Sequence, residues 1–174
     1  MNCSWESFFP YDTPREDQTT AINSAIKYFE SGKKFVIIEA GTGVGKSAIG
    51  YTLSKYLNSK EQEDGFEPGG LFLTTQKILQ DQYTRDFNNL GMKSIKSSSN
   101  YTCSFHRENN CAQGLRVLKT ARKGSKQWNT CVHKCPYRNE KKSFVESALS
   151  VTNFPYFLAE TQYSGKIKPR NVLV

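Results

Sequence analysis

The hydrophobic positions in the first part of the chain predict a strand between two helices. Apolar residues recur at helical spacing over 15–31, which predicts a helix. The short apolar run 35–38 predicts a buried parallel strand, and a second helix is predicted over about 47–57 after a glycine-rich turn. Residues 58–70 are polar and acidic and contain Gly and Pro, which predicts a surface loop.

The same alternation of strands and helices continues along the rest of the chain. The predicted elements are a strand 71–74, a helix 76–88, a helix near 138–148, a strand 149–152, a short helix near 155–160 and a final strand 171–174. On helix 76–88 we expect Ile78, Leu79 and Tyr83 to form the apolar face. Strands that alternate with helices predict an α/β fold built on a parallel sheet.

Length and composition indicate a small protein without membrane-spanning segments. The chain has 174 residues, of which 37% are hydrophobic, which suits one domain or one domain with a small insert. No apolar run approaches the roughly 20 residues that span a bilayer, and the N-terminus resembles no secretory signal. We therefore expect an intracellular protein (cytoplasm, nucleus or virus-infected host cell) that is not secreted and has no membrane partner. In such a compartment cysteines are better candidates for metal ligands than for disulfides.

Positive charge is concentrated in one segment of the chain. The net charge is +8, from 24 basic and 16 acidic residues. Residues 93–142 contain 12 of the basic and 2 of the acidic residues, whereas the remainder has a net charge of −2. A basic field of this size favours nucleic acid as a partner. The alternative is a solvated basic face without a partner.

The glycine-rich turn before the second helix has the pattern of a phosphate-binding loop. It fits G-x-x-x-x-G-K-S/T except that Ala40 replaces the first glycine. Backbone N–H groups of such a loop bind phosphate oxygens; Lys46 is expected to reach the β- and γ-phosphates of ATP, and Ser47 to bind Mg²⁺. Lys46 and Ser47 are the predicted catalytic residues. The predicted ATP-binding loop consists of Ala40, Gly41, Thr42, Gly43, Val44, Gly45, Lys46 and Ser47. The alternative is a structural strand-to-helix turn with an exposed lysine.

Hydrolysis of ATP also needs a strand-borne carboxylate for Mg²⁺ and a group that positions water. No apolar strand that ends in Asp or Glu follows the loop, and Glu39 lies on the strand that enters it. The sequence stops at Val174 within a predicted buried strand. We therefore expect the sequence to be cut off within a fold.

The cysteines of the basic segment are spaced as in a metal site. Cys103, Cys111, Cys131 and Cys135 are separated by 7, 19 and 3 residues. The second pair fits the C-x₂₋₄-C pattern of zinc sites, and Pro136 after Cys135 is typical of some iron–sulfur runs. The spacing supports zinc and an iron–sulfur cluster about equally, and free structural thiols are the alternative.

Other side chains of the segment are secondary candidates. His106 and His133 are possible replacement ligands, but we expect them to face solvent or phosphate. Cys3 is not expected to take part. Four aromatic residues are candidates for stacking on bases, and for at least two of them we expect core packing instead. They are Tyr101, Phe105, Trp128 and Tyr137.

Together these motifs resemble the XPD/DinG-type superfamily 2 DNA helicases, over residues 9–174. Arg15 to Gln18 looks like the family's adenine-sensing R-x-x-Q element, with Gln18 reading the base. Residues 40–47 match the family's A-G-T-G-x-G-K-S/T loop, so that the alanine is expected. Residues 73–82 resemble motif Ia, which contacts single-stranded DNA.

The cysteine segment and the following strands resemble the same family. Residues 96–103 resemble the family's K-G-R-x-N-Y-x-C motif, and residues 131–137 resemble its closing pair of cluster ligands. Residues 149–158 resemble the V-T-N-H-x-L-L motif. In the family, a strand like 171–174 is followed at once by Asp-Glu-Ala-His. The departures from the family pattern are Ser97 for Gly, Ser98 for Arg and Phe154 for His.

The resemblance implies cofactors, contacts and a domain organisation. The four cysteines would hold a [4Fe–4S] cluster, with zinc as the alternative. The residues implied to contact nucleic acid are Thr74, Thr75, Gln82, Asn100 and Tyr101. Residues 1–92 would begin a RecA-like motor domain, 93–142 would form an iron–sulfur insert, and 143–174 would return to a partial RecA-like sheet that ends before the Asp-Glu-Ala-His motif. A second motor domain would be missing from this chain.

We therefore expect the N-terminal part of an ATP-dependent 5′–3′ DNA helicase that acts on single-stranded or forked DNA. Without the Asp-Glu-Ala-His motif and the second motor domain, this chain alone would be inactive. The alternative is a non-enzymatic nucleic-acid-binding protein that is switched by nucleotide and carries a zinc or iron–sulfur module. A small P-loop kinase with a zinc-bearing lid is disfavoured, because the insert is strongly basic and no acceptor-binding acid is evident.

Overall fold

The computed structural model describes residues 4–60, 65–163, 165 and 167–174. Over these residues the chain forms an α/β structure. Its α-helices are α1 Glu16–Glu30, α2 Lys46–Asn58, α3 Lys77–Phe87, α4 Cys111–Leu118, α5 Lys126–His133, α6 Pro136–Glu146 and α7 Phe154–Tyr163. Its strands are β1 Glu67–Thr74, β2 Met92–Ile95, β3 Leu149–Asn153 and β4 Arg170–Leu173. Short 3₁₀ helices lie at Trp5–Phe8, Asn88–Leu90 and Ser98–Asn100.

The four strands form one sheet with the order β2-β3-β1-β4. The β2–β3 and β1–β4 pairs are parallel, with Met92 opposite Leu149 and Leu71 opposite Leu173. Every residue of β3 is buried, as expected for an inner strand of a parallel sheet covered by helices. The predicted α/β class with a parallel sheet is confirmed.

The chain divides into two compact units. The first consists of Met1–Leu71 and Pro169–Val174, and the second consists of Phe72–Lys168. In the first unit, Ile22, Ala25 and Ile26 of α1 face Ile49 and Leu53 of α2 in one hydrophobic core. The core of the second unit includes Phe72, Phe87, Met92, Ile95 and Val151, all almost fully buried. Each fully buried aliphatic or aromatic side chain of this size contributes about 1.5–3 kcal/mol to folding.

The strand predicted at 35–38 is not formed. Val36 and Ile38 pack against the core of the first unit, whereas Phe35 and Ile37 are 90% and 95% exposed. The side chains of this segment alternate between core and solvent, but a strand also requires a hydrogen-bonded neighbour. In the described part of the chain, the sheet ends at β4 without this segment, so the apolar run alone was insufficient.

The predicted apolar face of helix α3 is confirmed only for Tyr83, which is half-buried with its ring 5.9 Å from that of Phe87. Ile78 is 72% exposed and Leu79 is 41% exposed, while Gln80 and Phe87 are buried. Gln80 and Phe87 are seven residues apart and therefore lie on the same face of the helix. Gln80 tolerates this burial because its amide is hydrogen-bonded. The prediction considered apolar residues alone and therefore did not include Gln80 in the core.

The other predicted elements are found with small shifts. The basic segment assigned to 93–142 begins within β2, which was not predicted, and ends within α6. Within the predicted loop 58–70, residues 61–64 lie outside the described residues, and β1 begins at Glu67. No helix among the described residues is long and apolar enough to cross a membrane.

Candidate nucleotide and cysteine sites

The phosphate-binding loop lies between the segment 35–38 and the N-terminus of α2. Gly43 and Gly45 have φ angles of +84° and +86°, a region that favours glycine. A Cβ atom at Gly45 would lie 2.3 Å from Nε2 of Gln18. Gly45 is therefore required both by its backbone conformation and by the close approach of α1.

Arg15 and Gln18 of the R-x-x-Q element bind the loop directly. Arg15 donates from Nη1 to the carbonyl oxygen of Gly43 at 2.8 Å, and Gln18 donates from Nε2 to that of Val44 at 2.9 Å. The Gln18 Oε1 atom accepts from the backbone N–H of Arg15 at 2.9 Å. In a trans peptide the C=O and the following N–H point in opposite directions. The N–H groups of Val44 and Gly45 therefore point away from these two side chains.

Lys46 begins α2 and folds over the loop. Its Nζ atom donates to the carbonyl oxygens of Ala40 and Gly41 at 2.9 and 2.8 Å. Ser47 follows in the first turn of the helix and is half-buried. An exposed ammonium group, a hydroxyl and loop N–H groups at a helix N-terminus are the groups that bind a nucleotide phosphate and its Mg²⁺. The donor set therefore fits the predicted nucleotide.

A cavity of about 470 Å³ lies between α1 and the loop, within the first unit. It is lined by residues of α1, including Asp17, Ser24 and Tyr28, and by 36–41 and Val44. Gln18 does not line it and its amide is engaged by the loop and by Arg15. The adenine contact assigned to Gln18 stays a prediction, whereas its role in holding the loop is a feature that the sequence pattern did not indicate.

The four cysteines converge in the second unit. An isolated antiparallel bridge pairs Thr102 with Asn110, and the Cys111 backbone N–H donates to the Tyr101 carbonyl at 2.7 Å. This hairpin brings Cys103 and Cys111 together despite the seven residues between them. Cys131 lies in α5, and Cys135 immediately precedes α6. All four are free thiols.

Three of the four cysteines line a small cavity, and the fourth contacts one of them. Cys111 and Cys135 are buried and their Sγ atoms are 3.3 Å apart. A cavity of about 20 Å³ is lined by Cys103, Cys131 and Cys135 together with polar and apolar neighbours. This volume suits one water-sized particle. Among the described residues, no group of three or more His, Cys, Asp or Glu residues is arranged to hold a metal ion. The Sγ atoms of Cys111 and Cys135 lie closer together than the roughly 3.8 Å that tetrahedral zinc with Zn–S bonds of about 2.3 Å would impose.

Burial and neighbouring groups shift the pKa values of two of the four thiols. Burial, followed by the hydrogen bond with Cys135, raises the pKa of Cys111 to about 12. Burial also raises the pKa of Cys131, while the guanidinium of Arg138 opposes that shift. Burial therefore favours the protonated form of Cys111 and Cys131, and a bound metal would have to displace those protons. The chemistry of the donor set, four thiols with a cation beside them, fits a thiolate-bound metal.

Gly114 is a site residue that the sequence analysis missed. It lies in α4, three residues after Cys111, and a Cβ atom there would lie 2.7 Å from the Sγ atom of Cys103. A glycine inside a helical pattern costs about 1 kcal/mol relative to alanine and therefore signals a packing reason. That signal was present in the sequence.

The residues predicted to contact nucleic acid differ in accessibility. Thr75 and Gln82 are exposed, but Thr74 is buried and its hydroxyl donates to the carbonyl of Gln76 at 3.1 Å. Asn100 accepts from Lys77 Nζ at 2.8 Å. Tyr101 is half-buried and its hydroxyl donates to Glu140 at 2.6 Å. The predicted contacts of these residues with nucleic acid stay predictions. Thr75 and Gln82 are the favoured candidates, because both residues are exposed.

Most of the basic segment faces solvent. All basic residues from 107 to 138 are exposed, whereas Lys96 and Lys141 form ion pairs with Asp81 and Glu160, each at 2.5 Å. The two histidines are exposed, as expected. Of the four aromatic candidates, Tyr137 is buried, and Tyr101, Phe105 and Trp128 are half-buried. The exposed charges provide a surface on which phosphates can bind.

Comparison with known proteins supports the nucleotide-binding assignment. A family model described as "Type III restriction enzyme, res subunit" matches residues 12–154, which include the phosphate-binding loop and the four cysteines. No curated protein and no solved structure matches the chain. The matched domain is a helicase superfamily 2 domain, ATP-dependent and helicase-like. The chain therefore belongs to the family of the type III restriction enzyme res subunit.

Proposed function

We propose that this chain is the nucleotide-binding and cysteine-bearing part of an ATP-dependent 5′–3′ DNA helicase that acts on single-stranded or forked DNA. The proposal depends on one observation above all, in a chain that also carries a phosphate-binding loop. Of four cysteines spread over the basic segment, three line one cavity, and the fourth, Cys111, contacts one of these three, Cys135. The membership of a superfamily 2 domain supports the nucleotide-driven part. The strand polarity and the cluster follow from the resemblance to the XPD/DinG-type helicases.

In this proposal the loop residues bind and orient the nucleotide. Backbone N–H groups at Val44 and Gly45 bind phosphate oxygens, since Arg15 and Gln18 hold the carbonyls on the opposite side. Lys46 exchanges its two loop carbonyls for the β- and γ-phosphates, and Ser47 provides a hydroxyl ligand for Mg²⁺. Mg²⁺ held by Ser47 would supply positive charge against the phosphates.

Cys103, Cys111, Cys131 and Cys135 would hold the [4Fe–4S] cluster, which supplies a rigid cross-link for a small segment with little apolar core. For a cubane cluster the thiols would have to spread from the 3.3 Å contact between Cys111 and Cys135. The exposed basic residues of 107–138 would bind DNA phosphates next to the cluster.

A second candidate is a non-enzymatic, nucleotide-switched nucleic-acid-binding protein with a zinc module. The small cavity and the short distance between two of the thiols favour it, because a single tetrahedral ion needs less expansion than a cubane. It shares the nucleotide and nucleic-acid contacts with the first proposal and differs in the metal and in the absence of strand separation.

The decisive experiment is metal analysis combined with strand binding. Protein purified without oxygen is assayed for iron, sulfide and zinc per chain, and its affinity for a labelled oligothymidylate is measured at several salt concentrations. Iron and sulfide together with an affinity that falls steeply with salt are expected. Zinc alone would favour the second candidate. A folded protein with neither metal, or an affinity independent of salt, would contradict the proposal.

A further inference from the structure

In the second unit, a series of buried hydrogen bonds and one ring contact runs from the segment 73–82 to the neighbourhood of the cysteine site. It begins at Gln80 of α3, which is fully buried. Gln80 donates from Nε2 to the carbonyl oxygen of Ile95 at 2.8 Å and contacts Ser94 Oγ at 2.7 Å. These two bonds fix α3 to the end of β2, from which the chain continues towards Cys103.

Asn153 at the end of β3 is the next member. Its Nδ2 atom donates to Gln80 Oε1 at 3.2 Å, and its Oδ1 atom accepts from the backbone N–H of Tyr156 at 3.0 Å. The second bond is of the kind that caps a helix N-terminus. Asn153 therefore holds both α3 and the first turn of α7, with both ends of its buried amide in use.

Tyr156 and Tyr137 complete the connection. Their hydroxyl groups are 3.0 Å apart, and both residues are buried. Tyr137 lies in the first turn of α6, two residues after Cys135, and its ring is 5.5 Å from that of Tyr101, two residues before Cys103. The connection thus ends two residues, along the sequence, from each of two of the four cysteines.

We infer that Gln80, Asn153, Tyr156 and Tyr137 form a positioning relay that joins the strand-contacting segment 73–82 to the cysteine site, so that the order of each depends on the other. This inference rests on the proposed function for the roles of its two ends. Because every member is buried and hydrogen-bonded, a displacement of one member strains the bonds that hold the next, which makes the relay cooperative. The grip of the protein on a strand would then depend on whether the cysteine site is filled.

The test uses Tyr156→Phe, which removes one hydroxyl and keeps the ring. Tyr137 retains its contact with Glu160 at 3.4 Å, so the variant is expected to fold. Tyr137→Phe removes the same bond from the other side. Tyr163→Phe is the matched control, because it removes a hydroxyl from an 87% exposed tyrosine of the same helix.

Hydrogen–deuterium exchange of the full chain is the readout. Both relay variants should speed exchange at 77–82 and at 136–141 together, by about tenfold, while Tyr163→Phe leaves both segments as in the unaltered protein. A change confined to α7 would overturn the relay, because a merely local packing role would loosen that helix alone. This arm needs no bound metal, so it distinguishes failure of the relay from failure of the proposed metal site.

A second arm compares metal-loaded protein with protein treated with a chelator. In the unaltered chain, loss of the metal should speed exchange at 77–82 and weaken oligothymidylate binding. In Tyr156→Phe, exchange at 77–82 should no longer respond to the metal. An equal response in both proteins would also overturn the relay. If the isolated protein contains no metal, the metal proposal fails and the first arm alone decides the relay.

Discussion

Gly114→Ala tests the cysteine site with a single added methyl group. The new Cβ atom would lie 2.7 Å from Cys103 Sγ and 3.4 Å from Cys103 Cβ. To reach a contact of 3.4 Å, the sulfur must move by about 0.7 Å. The Cys103 backbone is held by the bond from its N–H to the carbonyl of Asn109 at 2.9 Å, so the side chain must turn, and the free space beside it is the cavity that the metal would occupy.

Two opposing terms set the magnitude. Overpacking of a filled site costs about 1–3 kcal/mol, and alanine regains about 1 kcal/mol of helix propensity in α4. We therefore expect a net loss of folding free energy of up to about 2 kcal/mol. The effect on the metal should be larger, with about 10- to 100-fold weaker binding, because a ligand is displaced beyond the tolerance of roughly 0.5 Å for such sites.

The assay is metal content per chain after purification without oxygen, together with the thermal unfolding of the basic segment. Trp128 lies in α5 and reports that segment by fluorescence. Val117→Ala, at a 41% exposed position of the same helix, is the control and should keep its metal. A Gly114→Ala protein with full metal content and unchanged unfolding would refute the argument that Gly114 makes room for Cys103.

Three further predictions concern the loop and the thiols. Lys46→Ala should abolish ATP binding in calorimetry, while Lys27→Ala on the exposed side of α1 keeps it; retained affinity in the first variant would contradict the loop assignment. Gln18→Ala should lower the stability of the first unit by about 1–3 kcal/mol, because it leaves loop groups without partners, and weaken ATP binding; unchanged chemical denaturation would show that the contact to Val44 is dispensable. Burial raises the pKa of Cys111 to about 12. The protonated thiol therefore stabilises the metal-free fold below pH of about 9, and that stability is lost as the pH rises towards 12. Because binding of metal releases the proton, the metal affinity should rise with pH, and a pH-independent affinity would count against thiolate ligation.

The parts of the fold that were predictable depend on short-range patterns. Helix α1 follows from apolar spacing, and the loop follows from its glycines and lysine, because φ angles near +85° and a helix N-terminus are encoded within eight residues. The same local reasoning failed at Phe35 and Ile37. Whether an apolar run becomes a strand is decided by a hydrogen-bonded neighbour from elsewhere in the chain.

In the candidate sites, too, local patterns were predictable from the sequence and contacts between distant residues were not. The spacing of the cysteines indicated that they belong together, but not that the interval from Cys103 to Cys111 folds as a hairpin. The burial of Gln80 was not predicted, because polar side chains are usually exposed to solvent. Its burial depends on Ile95 and Asn153, which lie 15 and 73 residues further along the chain, and no local pattern contains such pairs.

The Thr102–Asn110 bridge has a consequence for how ligand spacing should be compared between sequences. The bridge fixes the base of the hairpin, while Arg107 and Glu108 at its tip are exposed. Extra residues inserted at that tip would lengthen the interval in the sequence and leave the two sulfur atoms where they are. The number of residues between the first two cysteines is therefore a poor criterion for deciding which chains share this centre, and the residues flanking the bridge are a better one.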